Sequence, residues 1–236
     1  MSTPRVSVVM PAYQLGATIY DNLISARRVL GRDVEIIVVD DGSSDTTFSE
    51  MERAKREDVA LEIARNETNR GKGEALRRGF GLSHGEVIVF LDGDLDLPVE
   101  QVPGLVERLA AGSDDVLVGS KSAAMLAGHY PTKRRMLSRV FSLVSKVLFR
   151  LPVSETQTGL KVMRRPVLEE VFDDVRIVRY AFDLELLVRA KRAGFTLAEV
   201  PVDLRLDASS APLHLGTLWE MGRDTLRIFV WSVRGK

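Results

Sequence analysis

Hydrophobic positions in the first half of the chain fall into short aliphatic runs separated by longer amphipathic stretches. The runs at 6–10, 34–39, 61–64, Val87–Leu91 and 116–119 read as strands. The first and fourth are apolar enough to be buried on both faces. Helices are predicted between the runs. One spans about 18–30 with Thr18 as its N-cap, and a second opens after the turn at 40–45. A third leads from 69–73 to about Ser83, and a fourth covers 98–111 with Pro98 at its start. Strands alternating with helices of this length predict an α/β fold, a mostly parallel sheet with helices on both faces.

The pattern changes after Gly119. Through 133–151, polar residues at 135, 138, 139, 142, 145, 146 and 150 recur at helical spacing. They leave Met136, Leu137, Val140, Phe141, Leu143, Val144, Val147 and Leu148 on one wide apolar face. A helix packed on the sheet and a helix lying on anionic lipid both carry such a face, and the pattern leaves the two open. A polar loop at 155–159, a short strand at 161–163, a helix at 183–193 and a strand at 197–202 follow. The last helix, 215–233, is amphipathic and carries Trp219 and Trp231, a residue type suited to membrane interfaces.

Composition narrows the function classes. The 236 residues carry 33 Lys and Arg against 33 Asp and Glu, so net charge makes no case for a nucleic-acid partner. Charge is unevenly placed, with 133–150 basic and 92–100 acidic. The absence of cysteine excludes disulfides and thiolate metal sites and fits a reducing compartment. No run approaches the apolar length needed to span a bilayer, and the apolar stretch within 1–9 is too short for a secretory signal.

Two strands end in carboxylates. Val87–Leu91 stops at Asp92-Gly93-Asp94-Leu95-Asp96, and the 34–39 run stops at Asp40-Asp41-Gly42. In a parallel sheet both ends lie on one edge, where open α/β sheets bind ligands. Carboxylates at alternate positions can converge on a hard divalent cation that keeps sites free for a phosphate. A solvated acidic turn has the same spelling. Asn69-Arg70-Gly71-Lys72-Gly73 resembles a phosphate cradle at a helix start but lacks P-loop spacing, and there is no dinucleotide fingerprint. His84, His129 and His214 show no metal-ligand spacing.

These motifs in this order resemble the family 2 glycosyltransferases of the GT-A fold, in the branch that glycosylates polyprenyl (dolichyl) phosphate. The resemblance is carried by Val8-Val9-Met10-Pro11-Ala12-Tyr13, Asp40-Asp41-Gly42-Ser43, Asn69-Arg70-Gly71-Lys72-Gly73 and Asp92-Gly93-Asp94. Further on it rests on Val118-Gly119-Ser120-Lys121, Arg134-Arg135-Met136-Leu137-Ser138, Thr156-Gln157-Thr158-Gly159-Leu160-Lys161 and Phe182-Asp183-Leu184-Glu185. The last two look closer to glucosyl than to mannosyl members.

The resemblance implies an inverting transfer of a hexose, glucose first and mannose second, from UDP-glucose or GDP-mannose to a polyprenyl phosphate. Asp94 would ligate Mg²⁺ or Mn²⁺ on the donor diphosphate, with Asp92 beside it and Asp96 as a further metal-side neighbour. Asp92, Asp94 and Arg134 would be the catalytic set. Pro11, Tyr13, Val39, Asp41, Lys72, Gly93 and Arg165 would hold the nucleotide sugar, with Asp41 accepting from the base and Arg165 facing the diphosphate. Lys121, Arg134 and Ser138 would hold the acceptor phosphate. A catalytic domain at 1–210, containing the 133–151 helix, would be followed by an amphipathic segment at 211–236. The protein would sit peripherally on the cytoplasmic face of a membrane.

The chain also departs from its relatives. Tyr13-Gln14-Leu15 replaces the usual Tyr-Asn-Glu, and the late loop at 207–211 lacks a lysine. A family 2 transferase acting on a soluble or glycan acceptor, and a non-catalytic nucleotide-sugar-binding subunit, are the competing readings.

Overall fold

The structure, a computed structural model, describes residues 5–121, 141, 143–204 and 215–234. Seven strands form one sheet: β1 (Val6–Ala12), β2 (Glu35–Asp40), β3 (Leu61–Arg65), β4 (Val87–Leu91), β5 (Val116–Ser120), β6 (Leu160–Arg164) and β7 (Leu197–Pro201). Their order is β3-β2-β1-β4-β6-β5-β7. All neighbours are parallel except β6, which runs against both β4 and β5. The predicted mostly parallel α/β sheet is therefore present.

Strand direction decides what meets at the edge. β1, β2, β4 and β5 all finish on the same side, which brings Tyr13, Asp41, Asp92 and Lys121 there. Because β6 is reversed, its start lies on that side, with Leu160 opposite Leu91, and its end lies on the far side, with Arg164 opposite Val87. Strand order reverses between β1 and β4, the kind of crevice in which doubly wound sheets bind ligands.

Helices α1 (Ile19–Leu30), α2 (Thr47–Glu57) and α4 (Val102–Ala111) cover one face. α3 (Lys72–Leu82), α6 (Arg165–Val171), α7 (Phe182–Arg192) and part of α8 (Leu215–Arg234) cover the other. Successive strand residues serve opposite cores. Val8, Val38 and Val89 pack on the first side, and Val9, Ile37 and Ile88 on the second. All six are fully buried. Each aliphatic side chain so buried contributes about 1.5–3 kcal/mol.

Several predicted details differ. Thr18 stands at the N-cap of α1, yet its side chain makes no capping bond. Pro98 leads into a 3₁₀ turn, Val99–Gln101, and α4 begins only at Val102 with a proline in its own first turn. Helix α6 has no counterpart in the predicted elements, being only 7 residues long with Pro166 at its start. Of the predicted 133–151 helix, 141 and 143–149 are described and helical; we call the latter stretch α5. Here Ser145 is buried, whereas Leu143, Val144, Val147 and Leu148 are exposed. The described part of the predicted apolar face is thus open, with only Phe149 and part of Phe141 packed on the core, while Met136, Leu137 and Val140 lie outside the described residues. Trp231 is partly buried against α7. The guanidiniums of Arg189 and Arg192 lie 4.0 and 5.3 Å from its ring centroid, fixing α8 to α7. Trp219, by contrast, is 74% exposed. Among the described residues no helix is long and apolar enough to cross a membrane.

Candidate functional site

A cavity of about 1140 Å³ opens at the shared strand ends. Its floor is polar. Pro11 and Ala12 end β1 and Tyr13 follows it, Asp41 follows β2, Asp92 to Asp94 follow β4, and Lys121 follows β5. Lys72 comes from the first turn of α3 and Asp183 from the first turn of α7. A second wall is apolar. It is built by Phe141, Val144 and Leu148 beside and on α5, and by Met221, Leu226 and Phe229 on α8.

Asp41 is an anchor first. Its buried carboxylate accepts from Asn66 Nδ2 at 2.8 Å, from the Arg70 amide at 3.0 Å and from the Gly71 amide at 2.7 Å. These bonds fold the 66–71 segment over the cavity and place Lys72 at the start of α3. Gly71 permits this with a φ of 103°. A Cβ there would lie 2.5 Å from the Val178 carbonyl, so only glycine lets the 175–181 segment close over α3. The opening amides of α3 are spent within the protein, Gly73 N–H donating to the Val178 carbonyl at 2.8 Å and Glu74 N–H to the Gly71 carbonyl at 3.0 Å, so at this helix start it is the Lys72 side chain that reaches the cavity.

The Asp92-to-Asp96 turn is tight. Leu95 adopts a positive φ of 52° while fully buried, and its amide donates to the Asp92 carbonyl at 3.1 Å. Behind Asp92 stands Gly159, whose added Cβ would meet Asp92 Oδ2 at 2.0 Å. The loop before β6 thus presses backbone directly against the carboxylate.

Charges alternate along the floor. Lys72 Nζ lies 2.7 Å from Asp92 Oδ1 and 3.8 Å from Asp183 Oδ2. Asp183 Oδ1 in turn meets Lys161 Nζ at 2.7 Å, and Lys161 also donates to the Thr158 carbonyl at 2.5 Å. Lys161 is fully buried, whereas Lys72 keeps 29% of its side chain open to the cavity although protein surrounds it. Burial works against the Lys72 charge, but Asp183 and then Asp92 hold its pKa well above the usual value. Burial likewise opposes the Asp92 charge, and Lys72, with Lys121 and Lys161 behind it, keeps that carboxyl below its usual range. Lys161 is pulled down by burial in spite of Asp183.

Asp94 differs. Burial, then the neighbouring Asp92 and Asp96, push its carboxyl up to about 6. Two carboxylates crowded together at the cavity, with Asp94 held up in spite of Lys121, suit a divalent metal, so the donor set fits Mg²⁺ or Mn²⁺ held by Asp92 and Asp94. The expected third ligand does not join them. Asp96 lies past the turn, does not line the cavity, and gives its amide to Asp94 Oδ1 at 3.2 Å. Among the described residues no three carboxylate or imidazole groups form a metal cage.

Of the predicted residues, Pro11, Tyr13, Asp41, Lys72, Asp92, Gly93, Asp94 and Lys121 meet in one cavity. Val39 does not. Its side chain faces the buried core beside Gly79. Arg165 is at the wrong end of the sheet, because β6 carries it away from the carboxylates. It donates there to the Gly85 carbonyl at 2.5 Å and to Ser83 Oγ at 2.9 Å. Arg134 and Ser138, and the late loop at 207–211, lie outside the described residues.

Sequence reasoning assigns no role to Glu155, Lys161, Arg179, Tyr180, Asp183 or the α8 lining, which the structure sets in or beside the cavity. Lys161 carried a signal in the sequence, since a lysine inside an aliphatic run must find a buried partner. The carboxyl of Glu155 is raised by burial beside the cavity. Glu185, in the same motif as Asp183, is structural: it accepts the Arg176 and Ile177 amides at 2.9 and 2.7 Å and pairs with Arg189 at 2.8 Å.

Comparison with known proteins places these features in context. The glycosyl transferase family 2 profile matches residues 7–172. Glycosyltransferase AglD of Haloferax volcanii is 34% identical over 97% of this chain, which spans 37% of that protein's length. Dolichyl-phosphate beta-glucosyltransferase of Dictyostelium discoideum is 26% identical, covering 94% of this chain and 73% of its own. Dolichol-phosphate mannosyltransferase of Pyrococcus furiosus is also 26% identical, over 97% of this chain and 64% of its own. In fold, the chain resembles glucosyl-3-phosphoglycerate synthase from Mycobacterium tuberculosis, crystallised with UDP. The TM-score is 0.74 at 24% identity, over 97% of this chain and 80% of that one. The same synthase has been crystallised with Mn²⁺ and UDP-glucose.

Proposed function

The chain belongs to glycosyl transferase family 2, with the GT-A fold, and from that premise we propose that it transfers a hexose from a nucleotide sugar to a polyprenyl phosphate at a membrane surface. One observation carries the proposal: a floor of carboxylates and lysines and an apolar wall of two helices enclose the same cavity. A substrate with an anionic head and a hydrocarbon tail matches both parts. A sugar or other soluble acceptor needs no such wall. The names of the dolichyl-phosphate relatives support the same acceptor class, and they support glucose and mannose alike. We take glucose first.

Pro11, Tyr13 and Asp41 would hold the nucleoside, Tyr13 through its exposed ring. The diphosphate would lie between the start of α3 and Asp94. A metal bound at Asp92 and Asp94 would supply Lewis-acid stabilisation of the departing diphosphate. Lys121, with Arg134 and Ser138, would fix the acceptor phosphate. Its oxygen is anionic near neutral pH, so it attacks the anomeric carbon without a general base, and direct displacement inverts that carbon. The enzyme's contribution is then positioning and charge stabilisation. Exposed apolar residues on α5 and α8 would rest on the lipid surface, with the protein peripheral on the cytoplasmic face.

Lys121→Ala and Arg134→Ala test the acceptor assignment. Each should lower kcat/KM for a polyprenyl phosphate by roughly tenfold to a hundredfold while slow donor hydrolysis persists. Arg134→Lys should recover part of the loss, since a point charge cannot reproduce the planar fork. Unchanged use of polyprenyl phosphate by both alanine variants would remove the assignment.

A further inference from the structure

Lys72 sits between two carboxylates with different surroundings. Asp92 faces the cavity and belongs to the metal-binding pair, whereas Asp183 is buried at the start of α7. Asp183 does not move freely, because Lys161 grips its other oxygen at 2.7 Å and is itself tied to the Thr158 carbonyl. The same short loop carries Gly159, against which Asp92 is pressed. One loop therefore sets both carboxylates, and the Lys72 ammonium lies 2.7 Å from one and 3.8 Å from the other.

This geometry poses a conflict for any divalent cation. In the free protein Lys72 neutralises Asp92 through Oδ1, and a metal at Asp92 and Asp94 competes with that ammonium for the carboxylate. Left without a partner in a partly desolvated place, the ammonium would oppose the metal strongly. Asp183 removes the difficulty. Its Oδ2 stands only 3.8 Å from the Lys72 ammonium, a second carboxylate within reach of the same side chain.

We propose that the buried Lys161–Asp183 pair is a positioning device that takes the Lys72 ammonium from Asp92 when a divalent cation enters the cavity. It rests on the metal reading given above. Lys72 is thus a competitor of the metal in the free protein and a neighbour of the bound diphosphate afterwards. Asp183 and Lys161 act through Lys72 and touch no reacting atom.

The competition is read by titrating Mn²⁺ alone, without donor, into purified protein by calorimetry and by the electron paramagnetic resonance of free Mn²⁺. Lys72→Met should bind Mn²⁺ more tightly than wild type, by roughly fivefold or more. Asp183→Asn should bind it more weakly by a similar factor. That variant leaves the buried Lys161 without its carboxylate, so Asp183→Asn is also made with Lys161→Met, which removes both buried ions together. The decisive comparison is the same double substitution in the Lys72→Met background, where its effect should largely vanish. An equal loss with and without Lys72 would mean that Asp183 acts only as a distant negative charge, and would overturn the proposal. So would weaker Mn²⁺ binding by Lys72→Met. Wild-type protein that binds no Mn²⁺ would defeat the metal reading itself and the proposal with it. The identity of the acceptor affects none of these outcomes.

Discussion

Asp94 lies two residues from Asp92 and two from Asp96, and burial with those neighbours lifts its carboxyl to about 6, against an unfolded value of about 3.9. A raised carboxyl destabilises the fold wherever it is ionised. In metal-free protein the penalty is absent below the unfolded pKa, grows as pH rises through 4 to 6, and is complete above that. Asp94→Asn should therefore melt above the metal-free wild type at pH 7.5, with the difference fading toward pH 4. Added Mn²⁺ should stabilise the wild type alone. A variant that melts lower at pH 7.5, or that gains from Mn²⁺, contradicts this account of the residue. Asp41 has the opposite character, since its three accepted bonds make it a structural anchor whatever it contributes to the nucleotide. Asp41→Ala strands the Asn66 and Gly71 donors and should cost about 2–4 kcal/mol in denaturant unfolding. A stability change below 1 kcal/mol would show that water replaces the carboxylate there.

Elements α5 and α8 combine the cavity wall with an outward apolar surface. On α8, Trp219, Leu226 and Val233 recur at intervals of seven and are all exposed, with Val230 beside them. Arg223, Arg227 and Arg234 flank this stripe. Such a pairing suits anionic lipid. Trp219→Ser with Leu226→Ser should reduce sedimentation with phosphatidylserine vesicles severalfold and leave the melting temperature within a degree or two. A large fall in melting temperature would show that the stripe packs within the protein. The elements were legible in the sequence to different degrees. Buried strands and their carboxylate ends were plain, because an apolar run that stops at Asp92-Gly93-Asp94 or Asp40-Asp41-Gly42 marks both the strand and its edge. The direction of β6 was not, since nothing in Leu160–Arg164 encodes which way a strand enters a sheet. That single reversal sends Arg165 to the far side and brings Glu155 and Gly159 into the site. The orientation of α5 was equally hidden, because periodicity defines an apolar face without saying what the face meets.

For the whole molecule, the sheet gathers the ends of β1, β2, β4 and β5, together with the first turns of α3 and α7, into a single cavity. Sequence motifs spread from Pro11 to Asp183 acquire a common purpose only through that topology. The buried Lys161–Asp183 pair shows the limit of local reading, for its partners are 22 residues apart and join a strand to a helix. The central claim concerns what the cavity joins: a nucleotide sugar on the polar floor and a lipid phosphate against the apolar wall. Its most direct test incubates the purified protein and Mn²⁺ with radiolabelled UDP-glucose, GDP-mannose and other UDP- and GDP-sugars. Each donor is offered a short polyprenyl phosphate or a soluble phosphorylated acceptor such as 3-phosphoglycerate. Transfer of label into the organic-soluble lipid fraction from one donor, abolished by Asp94→Asn, is the predicted result. Label that appears only in the soluble acceptor, or in neither, would contradict it.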